Sequence, residues 1–110
     1  MNPRSNVNHL KVAEILLELG ADPNARDNDN NTPLHLASKN GHVEVAEILL
    51  GSGVDANAQN KNNTIPLHFA SRGGYIKLAR MLLDRRADVN ARDEDCKTPL
   101  HFVLQDKHVT

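Results

Sequence analysis

The feature that most constrains this chain is its self-similarity at a spacing of 33 residues. Leu34, Leu67 and Leu100 stand at that interval, each within Pro-Leu-His: Pro33-Leu34-His35, Pro66-Leu67-His68 and Pro99-Leu100-His101. The same offset relates Ala13, Ala46 and Ala79; the pairs Leu16-Leu17, Leu49-Leu50 and Leu82-Leu83; Asp22, Asp55 and Asp88; and Asn24-Ala25, Asn57-Ala58 and Asn90-Ala91. Three units, 8–40, 41–73 and 74–106, then share nine identical positions without a gap. A period of this length marks stacked supersecondary units, each burying its apolar face only against its neighbours. The 110 residues make one such domain, not two.

Each unit carries its own punctuation. Thr32 or Thr98 before proline reads as an N-cap with proline at the first helical position, where a missing N–H is no loss. The short helix that starts there has Leu34 and Ala37 on one stripe and ends near Asn40-Gly41, or Gly73-Gly74 in the next unit, because glycine adopts positive φ. A second helix follows at once. Val45, Ala46, Leu49 and Leu50 recur at helical spacing, Glu44 and Glu47 fall on the other side, and Gly53 is the stop. Asp55 to Thr64, rich in Asn, Asp and Lys, reads as a solvent-exposed turn or hairpin. Between units, Lys11, Glu44 and Lys77, and likewise Glu14, Glu47 and Arg80, bring opposite signs to most junctions, at roughly 0 to 1 kcal/mol per surface pair.

With these residues in view, the chain resembles the ankyrin repeat family. The matching motifs are Thr32-Pro33-Leu34-His35, Gly41-His42, Leu49-Leu50 and Ala87-Asp88-Val89-Asn90-Ala91, and the resemblance covers about residues 8–106. It implies an all-α solenoid of about three repeats: a curved stack of antiparallel helix pairs with β-hairpin or turn tips, used to bind another protein. It also implies that His35, His68 and His101 each hydrogen-bond at a repeat junction. Cytosolic asparaginyl hydroxylases of animals act on asparagines of this family eight residues after a leucine, a spacing shown by Leu16 and Asn24, Leu49 and Asn57, and Leu82 and Asn90.

The pattern breaks at defined places. Ile65 takes the slot of Thr32 and Thr98, and Thr64 stands one residue earlier as an alternative cap. Arg86 replaces Gly20 and Gly53, so a residue with a side chain must adopt the left-handed turn or the helix must end differently. Asn30, Asn63 and Cys96 occupy a tip position; asparagine tolerates positive φ better than cysteine, so the third tip is expected to be the least ideal. Residues 1–7 hold no Thr-Pro-Leu-His helix, and Thr110 falls where a further second helix begins. Val12 and Leu16 at one end, and Phe102, Val103 and Leu104 at the other, are expected to lack a covering helix. Two readings stand: a fragment of a longer array, or a complete small protein that covers its ends by self-association or with a partner.

Composition narrows the function classes. Thirteen basic against fourteen acidic residues give a net charge of −1 and no field to hold a nucleic acid or an anionic membrane. No apolar run approaches the roughly 18 residues of a membrane span. The single Cys96 excludes an internal disulfide and a cysteine-based zinc cage, and fits a reducing, cytosol-like compartment; the nucleus, or a host cytosol for a bacterial effector, is compatible. The sequons at Asn30 and Asn62 lack the secretory route they need. The recurring histidines stand a helix-packing distance of roughly 8 to 10 Å apart, too far to share one metal ion. His9, His42 and His108 are expected to start second helices. No phosphate-loop or nucleophile-elbow pattern occurs, and Glu94 and Asp95 disfavour a Cys96 thiolate. The expectation is a non-enzymatic chain with no cofactor and no metal.

What remains is the set of positions that vary between units. On the tips these are Arg26, Asn28, Asp29 and Asn31; Gln59, Lys61, Asn62 and Thr64; and Arg92, Glu94, Asp95 and Lys97. On the first helices they are Lys39 and Asn40, Arg72 and Gly73, and Gln105 and Asp106. They are expected to form one concave strip that binds a protein partner, through polar complementarity because the chain has no Trp and only Tyr75, Phe69 and Phe102 as aromatics. The competing expectation is a structural segment of a larger protein that binds nothing itself.

Overall fold

A computed structural model describes residues 3–105. Six helices follow in order: α1 (Pro3–Glu18), α2 (Pro33–Asn40), α3 (Val43–Gly51), α4 (Pro66–Gly73), α5 (Ile76–Asp84) and α6 (Pro99–Val103). They form two layers, α2, α4 and α6 side by side in one and α1, α3 and α5 in the other, while α2 pairs with α3 and α4 with α5. Among the described residues there is no strand, so the tips are turns and not β-hairpins.

The sequence signals act locally as expected. Thr32 Oγ1 accepts the backbone N–H of His35 at 3.3 Å, and His35 Nδ1 accepts the N–H of Thr32 at 3.1 Å, a reciprocal cap in front of α2. Gly41 and Gly74 end α2 and α4 in the left-handed region, with φ of 71° and 70°. Thr64 is not the cap of α4. Ile65 holds that place through its backbone alone: its N–H donates to His68 Nδ1 at 3.0 Å, and its carbonyl accepts the N–H of His68 at 3.0 Å. The side chain freed from capping is buried, which accounts for an isoleucine there.

The core lies between the layers. Leu34, Leu67, Ala46, Ala70, Leu49, Leu50, Leu78 and Leu82 are all buried, and removing such side chains from water is the main stabilising term, at about 25 cal/mol per Å². Small residues at Ala37, Ala46 and Ala70 let neighbouring helices approach. Gly73 serves a second purpose, because a Cβ there would enter the ring of Tyr75, which packs across the turn from α4 to α5.

Four expectations are corrected. His9 does not start a helix; it lies inside α1, which begins at Pro3 because Asn8 stands where Gly41 and Gly74 break the chain in later units. Its ring meets that of His42 edge-on at 5.5 Å. Phe102 is buried, its ring 4.8 Å from that of His68, whereas Val103 and Leu104 are exposed as expected. The third tip is no less regular than the others: Cys96 has φ 62°, like Asn30 at 62° and Asn63 at 59°. The charge register does not produce ion pairs. Among the described residues the pair within 4.0 Å is Lys61–Asp29, at 2.7 Å; Lys11, Glu44 and Lys77, on neighbouring helices, stay exposed and solvated. His108 and Asp106 lie outside the described residues.

Candidate protein-interaction surface

Each tip is built around one side chain that lies outside the expected strip. Asp27 Oδ1 accepts the N–H groups of Asp29 and Asn31, both at 2.9 Å. Asn60 does the same for Asn62 and Thr64, and Asp93 for Asp95 and Lys97. The signal was present in the sequence: an Asp or Asn recurs at this position, and such side chains hold turns by capturing nearby N–H groups. A second set of turns rests on Asp22, Asp55 and Asp88, which accept the N–H groups of Asn24, Asn57 and Asn90.

Successive tips are joined by their backbones. The Lys61 N–H donates to the Asp29 carbonyl at 3.0 Å, and the Glu94 N–H donates to the Asn62 carbonyl at 2.8 Å. Arg26 Nη1 donates to the Asn30 carbonyl and across the junction to the Gln59 carbonyl at 2.8 Å. Asn31 Oδ1 accepts from Asn60 Nδ2 at 2.9 Å. Asn57 ties the outer loops, donating from Nδ2 to the Arg86 carbonyl at 3.0 Å and accepting the Asp88 N–H at 2.7 Å.

The histidines sit under the tips. His35 Nδ1 accepts the Thr32 N–H, so Nε2 carries the proton and donates to the Thr64 carbonyl at 2.8 Å. His68 repeats this, donating from Nε2 to the carbonyls of Lys97 and Ala91 at 3.0 and 3.1 Å. Burial holds the His35 ring below the ordinary histidine pKa, and the nearby Arg26 acts in the same direction, while the Thr64 carbonyl opposes them. His101 makes the same reciprocal bond with Thr98 and is exposed. His35 and His68 are thus struts across repeat junctions with both ring nitrogens occupied, whereas the bonds of His101 stay within its own repeat, on Thr98.

The side chains of the expected strip divide accordingly. Asn28, Asp29, Gln59, Lys61, Asn62, Arg92, Glu94, Asp95 and Lys97 are exposed on the tips, and Lys39 and Asn40 are exposed on α2. Arg72 and Gln105 are half-buried. Thr64 is buried, with N–H and carbonyl both taken by Asn60 and His35, so it leaves the surface. Arg26 is exposed and Asn31 half-buried, and both are committed to neighbouring tips. The expected surface also omitted Leu36 and Phe69, equivalent positions of α2 and α4. Leu36 is exposed; Phe69 is half-buried edge-on to His35, with the Arg72 guanidinium 5.6 Å from its ring centre. The variation Leu, Phe, Phe at one repeat position is the signal that could have found them.

Among the described residues no three His, Cys, Asp or Glu side chains converge as metal ligands, and no helix is long and apolar enough to cross a membrane. Cys96 is a free, exposed thiol at the third tip.

Comparison with known proteins agrees with this architecture. A family model described as ankyrin repeats (three copies) matches residues 4–93. Among curated proteins, fem-1 homolog A of Danio rerio is 66% identical over 32 residues, 29% of this chain and 5% of that protein. Fem-1 homolog A of Bos taurus is 61% identical over 31 residues, and fem-1 homolog C of Danio rerio is 61% identical over 31, each covering 28% of this chain and 5% of the relative. The match thus spans one repeat's length and a small fraction of those relatives. Two layers of helices, reciprocal Thr–His caps and tips bonded from one repeat to the next have one common explanation: the chain belongs to the ankyrin repeat family.

Proposed function

We propose that this chain is a protein-recognition module whose partner surface is the strip of exposed tip residues, Asn28, Asp29, Gln59, Lys61, Asn62, Arg92, Glu94, Asp95 and Lys97, together with Lys39, Asn40, Arg72, Gln105, Leu36 and Phe69 on the first-helix layer. The observation that carries this reading is the backbone bonding between tips. A surface held by Lys61 N–H to Asp29 and Glu94 N–H to Asn62 loses little conformational freedom on binding, which leaves more of the contact energy for affinity. Leu36 and Phe69 supply apolar contact in the middle of a polar rim, the composition of an ordinary interface. The chain is non-enzymatic in this reading and needs no cofactor. The test is replacement of Asp29, Lys61 and Asp95 together by alanine. Circular dichroism and melting should stay nearly unchanged while capture of a native partner falls. Capture unchanged in the triple variant refutes the surface.

A second reading is favoured by the exposed apolar residues at both ends of the stack, Val12 and Leu16 on α1 and Leu104 after α6. In it the chain is a structural segment of a larger array, and the triple variant has no effect on any partner.

A further inference from the structure

The two ends of the stack are complementary to each other. Inside the molecule α3 packs on α1 and α5 packs on α3, each related to the last by 33 residues. Leu78 and Leu82 of α5 are fully buried, and at the same positions of α3 Leu49 is buried and Val45 half-buried against the core. Their counterparts on α1 are not: Val12 and Leu16 are each 54% exposed, and Ile15 is exposed beside them. At the opposite end, a groove of about 480 Å³ is lined chiefly by Ala70, Gly74, Ile76, Ala79, Leu83 and Val103. One repeat earlier, the equivalents of four of these positions, Ala37, Ala46, Leu50 and Ala70, are buried. What covers those positions inside the stack is the next second-layer helix with its Leu and Ala stripe; α1 carries that stripe.

We propose that α1 of a second copy docks in the groove beside α5 and α6, so that copies associate head to tail. In the register of the internal junctions, Val12 and Leu16 of the second copy take the role that Leu78 and Leu82 play against α3. Glu14 of that copy falls beside Arg80, which lines the groove, while Lys11 falls beside Lys77. One favourable and one unfavourable surface pair roughly cancel, so burial of the apolar stripe carries the contact. The contact joins two different faces and leaves one of each free, so it propagates.

The test uses sedimentation velocity of the full chain with reductant present, which keeps the exposed Cys96 from forming an intermolecular disulfide. Over roughly 1 to 300 μM, where mass action shifts the equilibrium, the mean mass should climb above the 12.1 kDa of one chain. Leu16→Glu on α1 and Ile76→Glu in the groove should each abolish the rise. Both residues are exposed, so helicity should persist; Val12→Glu and Val103→Glu replace them if either variant unfolds. Mixing the α1 variant with the groove variant leaves one intact pair of faces and should give a 1:1 dimer that grows no further. A chain that stays monomeric overturns the proposal, leaving these faces to a different protein or a continuing array. So does a single variant that still associates, or a mixture that does not.

Discussion

Arg85 reaches back a whole repeat to Leu50: its Nη1 donates to the Leu50 carbonyl, at the C-terminal end of α3, at 2.6 Å. Carbonyls at a helix end lack intrahelical donors, and that end carries partial negative charge, so a guanidinium from the following unit suits both needs. The positive charge at Arg85 thus acts on the helix of the preceding unit.

Arg85→Ala should therefore loosen a junction and not merely a helix end. The expected loss is about 1 kcal/mol, at the low end for a charge-assisted bond because the site is open to solvent. Urea unfolding measures it, and a loss no larger than that of Lys77→Ala would show that the bond contributes nothing.

Arg86 takes the left-handed conformation, with φ 68°, where the other units place Gly20 and Gly53. Arg86→Gly should stabilise the fold by about 1 kcal/mol, the relief of left-handed strain reduced by glycine's greater freedom in the unfolded chain. The Asn57 bond goes to the backbone carbonyl at this position and survives the change. A lower melting temperature in the glycine variant would contradict the assignment of strain.

His35 makes stability depend on pH. Its folded pKa lies below the ordinary value of 6.5, chiefly through burial. Between the two values the unfolded chain binds a proton that the folded chain refuses, so unfolding is favoured as pH falls. The contribution is whole above about pH 6.5 and is lost progressively as pH drops toward the folded value. Protonation at Nδ1 would also set an N–H against the Thr32 N–H that it now accepts. Urea midpoints measured from about pH 7.5 to 5.5 should fall more steeply for the native chain than for His35→Gln. Parallel slopes would sink this prediction.

Gly73→Ala should destabilise the chain by about 1 to 3 kcal/mol, the usual range for overpacking, because the new methyl enters the Tyr75 ring. Tyr75→Ala removes the obstacle, so in that background the Gly73→Ala increment should shrink or reverse, since alanine is the better helix former. A double-mutant cycle with no coupling between the two positions would count against a steric cause.

Much of the fold was legible in the sequence because its determinants are local. Pro33, Pro66 and Pro99 mark where first helices start, Gly41 and Gly74 mark where they stop, and the Leu-Leu pairs mark a buried stripe, all through backbone geometry that acts within a few residues. The 33-residue spacing then dictates that like packs on like.

Which polar side chains support the stack and which face outward was decided only by tertiary structure. Thr64 and Lys61 look alike as polar tip residues, yet Thr64 is buried with its carbonyl on His35, and Lys61 stays exposed, paired at the surface with Asp29. Arg26 and Arg92 occupy equivalent positions, but Arg26 has a following tip to bond, the Gln59 carbonyl. Phe102 and Leu104 are both apolar residues near the last helix, and only Phe102 finds a ring, that of His68, to lie against. The partner in each case is a group contributed by the adjoining repeat, some 29 to 34 positions away along the chain. Periodicity fixes that two repeats touch, but the direction of a carbonyl across their junction exists only once both are folded.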